Sequence, residues 1–208
     1  MKITLVKDGK SVKRYIPQHW DELTMKQYMG CMKILKDNSI KKELEKVVKM
    51  LSVITEIEEV DIYRLPVKNI NTLGLKLTNF LGTKPNEELQ HLVMIDDVEY
   101  GFHPKLSDMT FGEWIDIDNY INAGVDDNLH KIMSVLYRPV IAKQKNGKYA
   151  IEPYEPSEDK QNLIRDNLTV KEFNGVSVFF SNLGNELLMT TLKSSIQQLK
   201  DKKKEEGI

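Results

Sequence analysis

Little in this sequence belongs to the usual chemical toolkits. A single cysteine, Cys31, cannot form an internal disulfide or a thiolate metal cluster, which excludes disulfide-stapled scaffolds and Cys-based zinc fingers. It falls in an amphipathic stripe, where a small buried apolar residue is expected in place of a nucleophile. Histidine is scarce too: His19, His91, His103 and His130 include no pair three or four residues apart, so no helix carries a local metal-binding pair. Neither GxxxxGKS/T nor GxGxxG occurs, which removes the backbone cradles that turn amides toward phosphate. No serine sits in a nucleophile-elbow context. Charge of one sign is also lacking, with 30 Lys+Arg against 31 Asp+Glu and a net charge of -1, so direct nucleic-acid binding finds no support. No apolar run approaches the roughly 18 residues of a membrane span. The opening MKITLVKDGK places Asp8 and Gly9 where a signal peptide would carry its apolar stretch, so neither membrane insertion nor export by that route is expected.

What is present is ordinary globular composition: 208 residues, 40% hydrophobic and 29% charged, enough for one or two domains and a real core. The expected class is α+β, mostly helical. Three β-rich runs surround turn-forming pairs: residues 3–16 around Asp8-Gly9, residues 91–103 around Asp96-Asp97, and residues 140–151 around Asn146-Gly147. Each reads as a hairpin. Elsewhere the apolar period is helical, in stripes such as Leu44, Val47, Val48 and Leu51, and Ile70, Leu73, Leu77 and Phe80. Leu129, Ile132, Met133 and Leu136 mark a helix stopped before Pro139. A long pattern from about residue 170, interrupted by Gly175 and Gly184, predicts an extended C-terminal helix that those glycines can kink. The natural divisions are 1–85, 86–139 and 140–208, as modules or as parts of one compact domain.

One six-residue unit occurs three times: Leu23-Thr24-Met25-Lys26-Gln27-Tyr28, Met109-Thr110-Phe111-Gly112-Glu113-Trp114 and Leu168-Thr169-Val170-Lys171-Glu172-Phe173. Thr24, Thr110 and Thr169 suit an N-cap, and Gln27, Glu113 and Glu172 suit the N3 position that reaches back to it. The apolar residue before each Thr can staple against the aromatic at N4. Each unit follows a hairpin, which suggests three degenerate hairpin-then-capped-helix modules. The alternative is that ordinary helix initiation generated the motif three times. Either way it speaks to architecture, not chemistry.

Carboxylates offer the best catalytic candidates, since Asp96, Asp97, Asp116, Asp118, Asp126 and Asp127 could bind a divalent cation in a nuclease-like site if they converged. Their spacing argues against that. Asp116 and Asp118 diverge on a helix, and Asp126-Asp127 suit the cap of the next helix. The charge distribution makes these residues partner-binding candidates instead. Residues 1–85 carry 16 basic and 10 acidic groups, residues 86–127 carry 1 and 11, and residues 128–208 carry 13 and 10. An acidic middle between basic flanks suits head-to-tail self-association, closing into rings or running into fibres. Internal neutralisation within one subunit is the competing account. Lys200, Lys202, Lys203 and Lys204 are offset by neighbouring acids and read as a solvated helix end.

The segments IPQHWDELTMKQY and LSDMTFGEWIDIDNYI, with NLHKIMSVLYRPV after the second, resemble small structural and assembly proteins of tailed bacteriophages, nearest the crAss-like phages. The resemblance covers two of the three modules and rests on Trp20 to Thr24 and on Thr110 to Trp114. It implies a non-enzymatic virion protein without a cofactor, typically a homo-oligomeric ring of the neck or tail barrel contacting other phage structural proteins. The alternatives it leaves open are a tail-assembly chaperone and a cargo protein; an Asp-dependent metal nuclease is the alternative of another class.

Overall fold

A computed structural model describes residues 2–7 and 10–181. The chain is α+β, with helices around a four-stranded antiparallel sheet. It opens with β1 (Lys2–Lys7) and β2 (Lys10–Tyr15), an antiparallel pair in register from Lys2 opposite Tyr15 to Lys7 opposite Lys10. Asp8-Gly9 lies outside the described residues. Then come α1 (Met25–Lys36), α2 (Glu43–Thr55), the short α3 (Glu59–Tyr63) and α4 (Val67–Leu81). Next are β3 (Leu92–Ile95), β4 (Val98–Phe102), α5 (Phe111–Asn122) and α6 (Val125–Leu136). The described chain closes with β5 (Tyr137–Lys143), β6 (Tyr149–Ile151), α7 (Glu158–Asn167) and a helix over residues 170–181, α8. The rest of the expected C-terminal helix, Gly184 included, falls outside the described residues. No helix among them is long and apolar enough to cross a membrane.

The sheet order is β3-β4-β5-β6. Ile95 pairs with Val98, so Asp96 and Asp97 form a two-residue loop, and their φ values of 46° and 61° are those of the turn that matches strand twist. These two acids thus have a backbone task. At the next turn Gly147 takes φ 82° while the Asn146 side chain accepts from the Lys148 amide. As expected, α6 stops before Pro139, ending at Leu136, and the proline lies within β5, beside a register shift at Val140/Ala142.

The main core runs through all parts of the chain. Leu23, Met25, Cys31, Leu77, Phe102, Met133, Tyr137, Ile164 and Phe173 belong to one buried cluster, and a second one gathers Ile16, Leu51, Ile62 and Ile70 around α2 to α4. Phe102 of β4 meets Tyr137 of β5 and Phe179 of α8 in edge-on contacts at 5.5 and 5.8 Å. Gly175 of α8 is there for closeness: a Cβ on it would stand 2.3 Å from the Glu88 carbonyl oxygen. That glycine lets the helix touch the chain leading into β3.

The first and third copies of the repeated unit meet. The Met25 amide donates to the Leu168 carbonyl at 2.7 Å, and the Val170 amide donates to the Leu23 carbonyl at 2.9 Å, leaving Thr24 and Thr169 opposite one another as an isolated antiparallel bridge. Behind this clasp the N4 aromatics Tyr28 and Phe173 stand 4.9 Å apart. The clasp uses amides that a helix N-terminus otherwise leaves without partners.

Candidate functional site

The most distinctive surface is α5, and its geometry starts at its cap. Thr110 accepts from the Glu113 amide at 3.3 Å, and the Glu113 carboxylate accepts from the Thr110 amide, a complete capping box. The same box starts α1 at Thr24 and Gln27. At α8 Glu172 accepts from the Thr169 amide at 2.9 Å, while the Thr169 hydroxyl donates to that carboxylate.

Glu113 does more than cap. Its side chain is only 2% exposed, and its second oxygen accepts from the guanidinium of Arg138 on β5, with His103 Nε2 3.7 Å away. Burial works against the ionised carboxyl, but the Thr110 amide and hydroxyl, then Arg138 and His103, outweigh it and hold the group below its ordinary range. Burial also dominates at His103, whose pKa lies below the ordinary value, so the imidazole is neutral near pH 7. The buried Nδ1 of His103 and Nε of Arg138 have no hydrogen-bond partner among the described residues. Arg138 also lies over the Tyr154 ring at 5.8 Å, and Tyr154 donates to Asp116 at 2.6 Å. One turn on, Tyr120 accepts from Gln161 of α7 at 3.3 Å. Glu113, Asp116 and Tyr120 therefore bolt one side of α5 to the sheet and to α7.

The opposite side carries Phe111, Trp114, Ile115 and Asp118, which helical spacing places on one face. Phe111 is 75% exposed and Trp114 56%, and their rings lie parallel within 10° at 6.3 Å. Ile121 and Val125 extend the apolar surface toward α6. Large aromatics grouped in this way on a surface mark an interaction site. A second apolar surface lies on α2 to α4, where exposed Leu44, Tyr63 and Val67 rim a groove floored by Val48, Leu65 and Ile70.

The six candidate carboxylates do not come together. Asp96 and Asp97 sit in the β3–β4 turn, Asp116 points to Tyr154, and Asp118 faces outward and accepts from the Asn122 amide group at 3.0 Å. Asp126 is paired with Lys36 and Asp127 with Lys33 of α1, at 2.9 Å in the second case. The cap of α6 is Gly124 with φ 104°, and the two acids occupy the first turn, where the helix dipole favours them. Part of the acidic segment is thus neutralised internally. Among the described residues no group of three or more His, Cys, Asp or Glu side chains could hold a metal ion.

Sequence reasoning missed Arg138, His103, Tyr154 and the outward face of α5. Phe111 and Trp114 were visible in the unit that also contains Met25 and Tyr28, but nothing local distinguishes an exposed copy from a buried one. No protein-family model matches the chain, and no curated protein and no solved structure matches it.

Proposed function

We propose that this chain is a non-enzymatic building block of a tailed-bacteriophage particle, assembled in the host cytoplasm and placed as a homo-oligomeric ring in the neck or tail. The observation that carries the reading is the Phe111–Trp114 face, a rigidly held, solvent-facing aromatic surface on an acid-rich helix. Such a surface costs solubility unless another protein covers it. The second apolar surface at Leu44, Tyr63 and Val67 gives a subunit contacts on another side, as stacking and lateral neighbours require. The acidic middle and basic flanks favour head-to-tail contacts, and the phage-like segments around Trp20 and Thr110 favour this particle over other assemblies.

Mass spectrometry of purified particles tests the assignment. Many copies per particle are expected. Presence in infected cells but absence from mature particles would replace it with an assembly-chaperone role, and recovery only with the released genome fraction would replace it with a cargo role.

A further inference from the structure

We infer that the α5 unit of one copy clasps the α5 unit of a second copy about a two-fold axis, by the backbone exchange that joins α1 to α8 within the chain. The argument is independent of any phage role, since it rests on how the three copies of the repeated unit are used.

Within the chain, two copies satisfy one another. Each offers the amide of the residue after its Thr and the carbonyl of the residue before it, as Met25 to Leu168 and Val170 to Leu23. Exchanging the two units exchanges the two bonds, so the clasp is a pseudo-two-fold. It buries the residues flanking each Thr, namely Leu23, Met25, Leu168 and Val170, and brings the two N4 aromatics together.

The third participant has no partner. Its cap is built as in α1, yet among the described residues neither the Phe111 amide nor the Met109 carbonyl, the equivalents of the clasping groups, has a hydrogen-bond partner. Phe111 and Trp114 occupy the places of Met25 and Tyr28 and of Val170 and Phe173, and they are exposed where those are buried or half-buried. A donor, an acceptor and two aromatics stand ready in the arrangement that the chain itself completes elsewhere. The surface that completes it is another copy of the same unit, and two identical units in antiparallel exchange make an isologous contact.

The electrostatics give this contact a signature. Asp118 lies one turn beyond Trp114 on the same face, so both copies contribute like charge to the paired surface. Added salt therefore tightens the pair, whereas a head-to-tail contact between acidic and basic surfaces loosens with salt.

The test uses the full chain in solution. Sedimentation should give a species that halves in mass when Phe111 and Trp114 are both changed to Ser, with the far-ultraviolet spectrum and melting retained because both side chains are exposed. A Thr110→Cys variant, in a Cys31→Ala background, should cross-link to itself on mild oxidation, because residues opposite one another across such an exchange have Cα atoms about 4.5 Å apart, within disulfide range. Association should tighten with salt and with Asp118→Asn. A monomer at all accessible concentrations, an unchanged mass in the Ser variant, a self-associated Thr110→Cys variant that fails to cross-link, or loosening with salt would each overturn the two-fold clasp. None of these outcomes bears on whether particles contain the protein, so the particle measurement stands apart.

Discussion

Thr24 and Thr169, 145 positions apart in the chain, face one another across an isolated antiparallel bridge whose two hydrogen bonds join the first turns of α1 and α8. The bonds come from the neighbours of the two threonines, which leaves each side chain at work on its own helix. Capping and clasping are thus separate functions of the same short unit. Replacing Leu168 by Pro leaves its carbonyl available, but Val170→Pro removes the amide that reaches Leu23 and should lower stability by roughly 1–3 kcal/mol, the cost of a buried carbonyl left without its donor. Proline is otherwise tolerated at a first helical position, so a denaturation midpoint unchanged in Val170→Pro would show that the clasp contributes nothing.

Glu113 should be the least replaceable carboxylate in the chain. Glu113→Gln keeps the shape but leaves the buried Arg138 charge uncompensated, and about 3–5 kcal/mol of stability should be lost. Thr110→Ala removes only the cap and should cost about 1 kcal/mol. Urea titration of the two variants checks the order. Equal losses would mean that Glu113 acts only as a cap.

Acid should weaken the fold in two stages. Burial first, and Arg138 after it, depress His103 against the opposing pull of Glu113, and burial likewise depresses His130. The unfolded chain therefore takes up these protons before the folded chain does. The stability they contribute is complete above the ordinary histidine value of 6.5 and is lost as pH falls through the folded values. Glu113 follows at lower pH, because its folded value lies below the ordinary 4.5. Midpoints measured from about pH 8 to about pH 5 should fall, and His103→Gln should flatten part of that fall. An unaltered slope in that variant would remove His103 from the account.

Two glycines should resist even the smallest side chain. A Cβ at Gly101 would stand 2.4 Å from the Tyr149 ring, which covers that glycine from β6 while its hydroxyl donates to the Phe102 carbonyl at 2.7 Å. A Cβ at Gly175 would meet the Glu88 carbonyl oxygen. Gly101→Ala can be relieved by moving a side chain and should cost about 1–3 kcal/mol, with Gly175→Ala costing more because backbone must move. Thermal melts rank the two, and a Gly175→Ala protein as stable as the parent would contradict the close approach of α8.

Glu56 ends α2 with φ 55°, a left-handed position without the glycine that usually fills it. Glu56→Gly should raise stability by up to about 1 kcal/mol, the left-handed strain relieved less the added freedom of the unfolded chain. A lower melting temperature would mean that the carboxylate makes a contact worth more than that strain.

The α+β character was legible because β-branched runs and 3.6-residue stripes alternate along the chain, and because a cap is written within four residues. The tertiary use of those caps was not. Met25-Lys26-Gln27-Tyr28 and Phe111-Gly112-Glu113-Trp114 look alike, yet one faces the core and the other faces solvent, since the difference lies in whether a second unit stands opposite. The same holds for charge. Glu113, Asp116, Asp126 and Asp127 sit within 15 residues in an acidic run, but their partners Arg138, Tyr154, Lys36 and Lys33 come from other elements. Charge distribution made Asp96, Asp97, Asp116, Asp118, Asp126 and Asp127 candidates for a partner's surface; Asp116, Asp126 and Asp127 are engaged by other elements of the subunit, and Asp118 is the one that the outward face of α5 carries.

Because the Met25 amide and the Leu23 carbonyl find their partners at Leu168 and Val170, the first turn of α1 is closed only once residue 170 has been made, although α2 packs on α1 long before. A chain released or cleaved before residue 170 therefore lacks that closure, and it should be digested faster than the full-length chain.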